Sequence, residues 1–562
     1  MNAPRRFPVV LFWHMHQPQY RDPISGEYVL PWTYLHAIKD YVDMAAHLEA
    51  NPQARAVVNF APILIEQLEE LAARVNAHLG RGESLPDPVL ALLSEAPLPI
   101  EPGARLALLQ ACLRADREHL INRYPAYARL ASLATALGAR DTVAYAADQY
   151  LRDLGVWYHI AWLGETVKRG DLRVAALIDR EHDFTATHRR SLLELIGELL
   201  MGLLPRYRAL AERGQVELAV SPYAHPILPL LLDFNAARES IPGAPLPRAA
   251  AYPGGEERSA WHMREALRVF ARVFGRAPVG CWPSEGAISE RALEIIGEHG
   301  LRWAASSGNV LRGCLDAATA EPAPELRAWQ APGTNLQVFF RHDELSDLIG
   351  FAYSKWHGDD AVRHFIGELE RVAAQAEGRE GAMALVALDG ENAWEHYPFN
   401  GYYFLKGLYA ALASHPGFEL TTLGDCLARN PQAQPLPRVV AGSWVHGTLA
   451  TWIGDRDKNA GWDLLVQAKL AADEVLASGR LPPHKREWVQ RQLALCESSD
   501  WFWWFGDYNP YEAVRDFDRL FRHQLASLYL LIGREVPEIL THAISVGRGA
   551  PEGGGVMRRA QE

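Results

Sequence analysis

Two imidazoles stand two residues apart at the end of an apolar run, where Val9-Val-Leu-Phe-Trp13 leads straight into His14-Met-His16-Gln-Pro18. In an extended chain, residues i and i+2 face the same side, so both rings can reach one ligand. The spacing fits a metal ion, with His225 and Asp389 as further donors, and fits a grip on sugar hydroxyls equally well. A carboxylate, Glu285, follows Trp282-Pro-Ser in a sharp Gly-bounded turn that exposes it. Ser284 and Ser289 are better N-caps for the helix that follows, which leaves Glu285 available for chemistry. A second carboxylate, Asp389, ends the apolar run Ala384 to Leu388 and precedes Gly390. Burial there raises a carboxyl pKa, as a general acid working near neutral pH requires. Glu391 and Glu395 are its rivals, and Glu391 lies on the same side of an extended segment. Two carboxylates at two strand ends are the minimum equipment for cleaving a glycosidic bond. The chain has no Gly-x-Ser-x-Gly elbow and no phosphate-cradling glycine loop, which weighs against esterase and nucleotide chemistry.

Composition points the same way. Seventeen Trp, 20 Tyr and 18 Phe are present, and the tryptophans gather in polar, Gly-containing segments such as Ser499-Asp500-Trp-Phe-Trp503-Trp-Phe-Gly-Asp507 and Gly442-Ser-Trp444-Val-His446. Flat, weakly amphipathic rings stack well on sugars, although about half of these rings are expected to be packing. The 56 Lys and Arg against 68 Asp and Glu leave a net charge of −12 with no basic cluster, which excludes a nucleic-acid partner. Five widely spaced cysteines without a CxxC pair exclude a disulfide framework and a cysteine-rich zinc site. No apolar run is long enough for a signal peptide or a membrane helix, so a cytoplasmic protein is expected, with no membrane partner. No residue pattern marks an oligomeric state.

The elements that must position these groups alternate. Strands are expected at Val9–Trp13, Ala56–Phe60, Val216–Val220, Val279–Trp282, Leu301–Ala305, Leu336–Phe340 and Ala384–Leu388, most ending in polar residues. Helical periodicity separates them, at 256–274, 288–299, 359–376 and 401–413. Alternation of this kind predicts an α/β fold with a parallel sheet, and chemistry at successive strand ends favours a barrel. A helical insertion at about 62–213 interrupts it within residues 1–430. Beyond a Pro-rich linker, 431–547 reads as a C-terminal helical domain, and the Gly-rich 548–562 as a disordered tail.

In order along the chain, His14-Met-His-Gln-Pro18, Gly214 to Pro226, Trp282-Pro-Ser-Glu285-Gly, Leu388-Asp389-Gly-Glu-Asn-Ala-Trp394-Glu and the aromatic 499–507 segment resemble the five motif regions of glycoside hydrolase family 57. The likeness is strongest to its α-amylase and amylopullulanase-type members, and it spans about residues 9 to 525. It implies a distorted (β/α)7 barrel whose C-terminal helical domain closes the cleft, and retaining cleavage of an α-glucan or maltooligosaccharide without metal or other cofactor. By motif position Glu285 corresponds to the nucleophile and Asp389 to the acid/base, while His14, His16, Glu217 and His225 fall where the sugar is held. Arg341, Trp444 and Asp500 resemble substrate contacts of branching-enzyme members, and Trp282, Trp394 and Trp503 are the motif rings expected to join them. The order Arg341-His-Asp343 departs from the Arg-Asp-His common in related sequences, so no role is assigned to Asp343. The expected activity is hydrolysis of α-1,4 bonds, with α-1,6 bonds as a further target. A 4-α-glucanotransferase or branching enzyme of the same fold is the alternative, and a metal-dependent C–N hydrolase using His14 and His16 a more distant one.

Overall fold

The computed structural model describes residues 6–549. Its one sheet contains β1 (Phe7–Met15), β2 (Ala56–Phe60), β3 (Val216–Val220), β4 (Gly280–Cys281), β5 (Trp303–Ser307), β6 (Trp329–Gln330), β7 (Gln337–Arg341), β8 (Ala384–Asp389), β9 (Phe418–Leu420) and β10 (Gln434–Pro435). The order is β10-β6-β7-β5-β4-β3-β2-β1-β8, with β9 also paired to β1. β1, β2, β3, β4, β5, β7 and β8 run parallel and form the seven-stranded barrel wall, while β6 pairs antiparallel to β7 at the margin. The sheet curls until its ends meet: the amide of His342, just past β7, donates to Leu385 O of β8 at 2.8 Å. This is the distorted (β/α)7 barrel anticipated from the sequence.

The strand at 279–282 shrinks to Gly280–Cys281, because Pro283 lacks the N–H that would continue a ladder. Gly280 is required there, since a Cβ would lie 1.8 Å from the Trp303 ring. Residues of alternate parity sort into two cores. Val10, Phe12, Val57, Ala219, Leu385 and Ala387 fill the barrel interior. Val9, Leu11, Trp13, Val58 and Val386 face the surrounding helices.

The insertion is helical as expected, with helices at Pro62–Arg81, Pro125–Leu137, Asp148–Trp162 and Ala186–Glu212 among others. The C-terminal part carries Arg456–Ala477, Pro483–Cys496, Ser499–Trp504 and Tyr511–Leu531. At the start of the expected tail, the amides of Arg548 and Gly549 donate to Asp507 O and Asn509 O, so these two residues are part of the fold. The remainder of that tail lies outside the described residues.

Candidate active site

The alternation that fills the barrel interior also sets the floor of the site. On β1, the next residue of the Val10 and Phe12 parity is His14, whose register partners are Asn59 on β2 and Asp389 on β8. His14 Nδ1–H donates to Asn59 Oδ1 at 2.6 Å, and Ser221 Oγ reaches the same oxygen at 3.0 Å. Burial, together with the neighbouring His16, pushes the His14 pKa down to about 3. Its Nε2 is therefore an unprotonated acceptor, suited to a hydroxyl.

His16 follows at the same parity, with Nε2–H donating to Asp500 Oδ1 at 2.9 Å. His225 stacks on it, with centroids 3.8 Å apart and planes 17° from parallel. Burial, with His16 and His14 beside it, holds His225 well below its ordinary pKa. His16, His225 and Asp500 bring donor atoms within 4.8 Å of one another. The stack nonetheless sends the in-plane lone pairs of the two rings side by side. They do not converge on a point about 2.1 Å from both nitrogens, as a zinc site demands.

Glu285 occupies a left-handed turn, φ 60°, and His225 is held at φ 60° as well. Such backbone strain in non-glycine residues gathers at functional sites. Here the two strained residues face each other, His225 Nδ1 lying 3.8 Å from Glu285 Oε1. The Glu285 carboxylate also accepts from the Trp444 indole at 2.8 Å. Ser306 Oγ pins the turn by donating to Gly286 O at 2.6 Å.

Asp389 is buried and accepts from Asn392 Nδ2 at 2.8 Å. Burial raises its pKa to about 6 against the pull of Asn392, His16 and Arg341. Arg341 is held from three sides, donating to Asp343 Oδ1 (2.8 Å), Ala387 O (3.1 Å) and Asp347 Oδ1 (3.2 Å). Its guanidinium lies 5.5 Å from the Trp444 ring centroid.

A cavity of about 760 Å³ opens over these groups, within the size range of small-molecule sites. Glu285, Asp389, His14, His16, Arg341, Trp444, Asp500 and Trp503 all line it. Four of the expected site residues stand elsewhere. His225 is fully buried behind His16, and Trp282 is fully buried between Phe12 and Trp444; both support the wall without lining it. Glu217 does point into the barrel, but four residues before Ser221, about 13 Å below the mouth at strand rise. There it accepts from the Trp303 indole and the Gly424 amide, both at 2.7 Å, and tethers the barrel bottom. Trp394 is core: its indole donates to Gly390 O at 2.9 Å, and its ring packs on Trp13 and Tyr397. In the 499–507 segment Trp501, Phe502 and Phe505 are core, whereas Trp503 and Trp504 reach the cavity.

Sequence reasoning missed Asn59, which orients His14, and Asp343, which orients Arg341. An amide inside the apolar strand Ala56–Phe60 is the signal that marks Asn59. Trp32 and Trp162, paired at 5.5 Å on the far wall, carried no such mark. Arg114 and Asp516, 3.6 Å apart across the cavity, belong to segments more than 400 positions apart and were equally unmarked.

A parallel (β/α) barrel with two carboxylates lining one cavity, a neutral imidazole and aromatic walls at its C-terminal mouth has the build of a glycosidase. The sequence model of glycosyl hydrolase family 57 matches residues 10–437, and the chain belongs to that family. Its fold is similar to a branching enzyme from Thermococcus kodakaraensis, at 17% identity and TM-score 0.58, covering 94% of this chain and 90% of that one. It is also similar to an α-amylase from Thermotoga maritima, at 13% identity and TM-score 0.56, covering 96% of each. A 4-α-glucanotransferase from Thermococcus litoralis follows at 13% identity and TM-score 0.51, covering 93% of this chain and 60% of that one.

Proposed function

We propose that this chain cleaves α-1,4-glucosidic bonds of an α-glucan or maltooligosaccharide with retention, by double displacement, and that α-1,6 bonds are a further target. The observation that carries the reading is the contrast between two carboxylates on one cavity. Glu285 takes an indole hydrogen bond that favours its charged form, while Asp389 is buried and has a pKa of about 6. A carboxylate held by an indole donor fits the nucleophile, and a buried carboxyl with a raised pKa fits the acid. Glu285 attacks the anomeric carbon as Asp389 protonates the departing oxygen; Asp389 then takes a proton from the group that attacks the β-glycosyl-enzyme. His14 Nε2, Arg341 and Asp500 hold hydroxyls of the sugar at the cleavage point.

If that attacking group is water the enzyme is a hydrolase, and if it is a sugar hydroxyl it is a glucanotransferase or branching enzyme. The fold is similar along nearly the full length of both chains to a branching enzyme and to an α-amylase alike, which supports both readings. Residues 1–430, including the insertion at about 62–213, serve as the catalytic barrel, and 431–547 as a helical domain that closes over it; Asp500 and Trp503 at the cavity support that division. Five buried free thiols support a reducing, cytoplasmic setting.

Replacing Glu285 by Gln is expected to abolish turnover of amylose and maltooligosaccharides, and activity retained in that variant removes Glu285 from the nucleophile role. Products from amylose separate the two outcomes: rising reducing ends mark hydrolysis, whereas new branch points or disproportionated oligosaccharides mark transfer.

A further inference from the structure

Glu391 lies two residues past Asp389 and is 1% exposed. Its Oε1 accepts from the His16 amide and from Gln17 Nε2, both at 3.2 Å and both neutral. Its Oε2 is buried without a hydrogen-bond partner, and the buried Tyr41 hydroxyl is in the same condition. The Tyr41 side chain meets the Glu391 carboxyl. Tyr41 and Asp40 arrive on a π-turn, Ala37–Tyr41, whose wide winding swings both toward Glu391. The groups packed around Glu391 are thus His16 and Gln17 from the end of β1, Tyr20 from the loop beyond, Asp40 and Tyr41 from the π-turn, Tyr207 from the helix Ala186–Glu212, and Asp389 on its own segment. Lys39 and His36 are committed to Asp40, at 2.6 and 2.7 Å.

Two buried carboxyls two residues apart that act on each other, with only neutral donors on the second, cannot both ionise cheaply. We propose that Glu391 is a positioning residue that keeps its proton while Asp389 cycles, so that the pair carries at most one negative charge. Burial and the nearby Asp389 both drive its proton affinity up, in agreement with this. With that proton in place, Oε2 and the Tyr41 hydroxyl can share one O–H···O bond with no net charge buried between them. The consequence falls on Asp389. A charged Glu391 would raise its proton affinity further and leave it a weaker acid for the first half of the reaction. A neutral one lets it alternate between acid and base.

The inference rests on Asp389 being the acid/base, and its test reads stability as well as turnover. A carboxyl protonated in the fold and ionised when unfolded loses stabilisation as pH rises above the unfolded value. Thermal unfolding of the wild type and of Glu391→Gln is therefore compared from pH 5 to 8. The midpoint difference in favour of the variant is expected to grow with pH, and to grow less when both proteins also carry Asp389→Asn. A difference that is flat or shrinks with pH overturns the proposal, whether or not the protein turns over a glucan. In the kcat/KM profile on maltooligosaccharides, Glu391→Gln is expected to leave the midpoint of the alkaline limb in place. A downward move on the order of one pH unit means that Glu391 is charged in the wild type, and also overturns it. Turnover that survives both Glu285→Gln and Asp389→Asn instead overturns the proposed function, and leaves the unfolding comparison to stand or fall alone.

Discussion

Trp444 bonds Glu285 twice: its indole N–H donates to Oε2 at 2.8 Å and its backbone N–H donates to the Glu285 carbonyl at 3.0 Å. One residue of the segment after the barrel thus fixes both the carboxylate and the strained turn that carries it. Hydrogen bonds to charged groups contribute about 1.5–3 kcal/mol. Trp444→Phe keeps the ring and removes the indole donor, so kcat/KM on maltooligosaccharides is expected to fall about 10- to 100-fold at fixed pH. An unchanged kcat/KM would separate the indole from the nucleophile.

Asp389 must carry a proton to start the reaction, and its pKa is raised to about 6 by burial. Above that value the protonated fraction falls, so the alkaline limb of kcat/KM is expected to have its midpoint near pH 6. Asn392 donates to the charged form and lowers the pKa. Asn392→Ala is therefore expected to move the limb upward by about one unit, since one unit corresponds to about 1.4 kcal/mol. A pH profile of the two proteins checks the sign directly.

Much of this site was legible because strand parity is rigid. His14, Asp389 and Arg341 end strands whose apolar alternation already says which side they face, and the parallel register of β1 with β8 places His14 beside Asp389. Glu217 shows where parity misleads: it gives the side of the sheet but not the depth, and the residue that faces inward at the base serves the fold. Trp394 fails for a different reason. A ring beside Glu and Gly in a motif reads as exposed, yet Gly401, at φ 70°, lets the chain fold back over it; a Cβ there would lie 2.7 Å from the ring. The far wall was silent, because Trp32 and Arg114 come to line one cavity with Asp516 and Trp504 only through the packing of segments far apart in the chain.

Turnover is expected to be indifferent to chelators. His16 Nε2 is already engaged by Asp500, and the 3.8 Å stack keeps its ring and that of His225 parallel. Dialysis against EDTA followed by assay on amylose, with elemental analysis of the protein, tests this. Loss of activity that zinc restores would show that the rings rearrange around an ion, and would favour the C–N hydrolase chemistry that paired histidines also serve.

Glu497 offers a test that joins stability to the site. It is buried with Arg258 at 2.7 Å and His262 at 2.7 Å, and also accepts from Tyr252. Burial pushes its carboxyl up, but Arg258 and His262 outweigh that and hold the pKa at about 2. A lowered pKa contributes stability above the ordinary carboxyl range, and that contribution is lost as pH falls from there through about 2. Glu497→Gln leaves Arg258 buried without its counter-charge, at a cost of about 3–5 kcal/mol. Its unfolding midpoint in urea is expected to drop clearly at pH 7 and to approach the wild type near pH 2. Because Ser498, the next residue, caps the short helix and donates to Asp500 Oδ2 at 2.5 Å, the same variant is expected to raise KM as His16 loses a fixed partner. A large loss of stability with KM untouched would show that Asp500 is placed by its own helix and not by the ion pair beneath it.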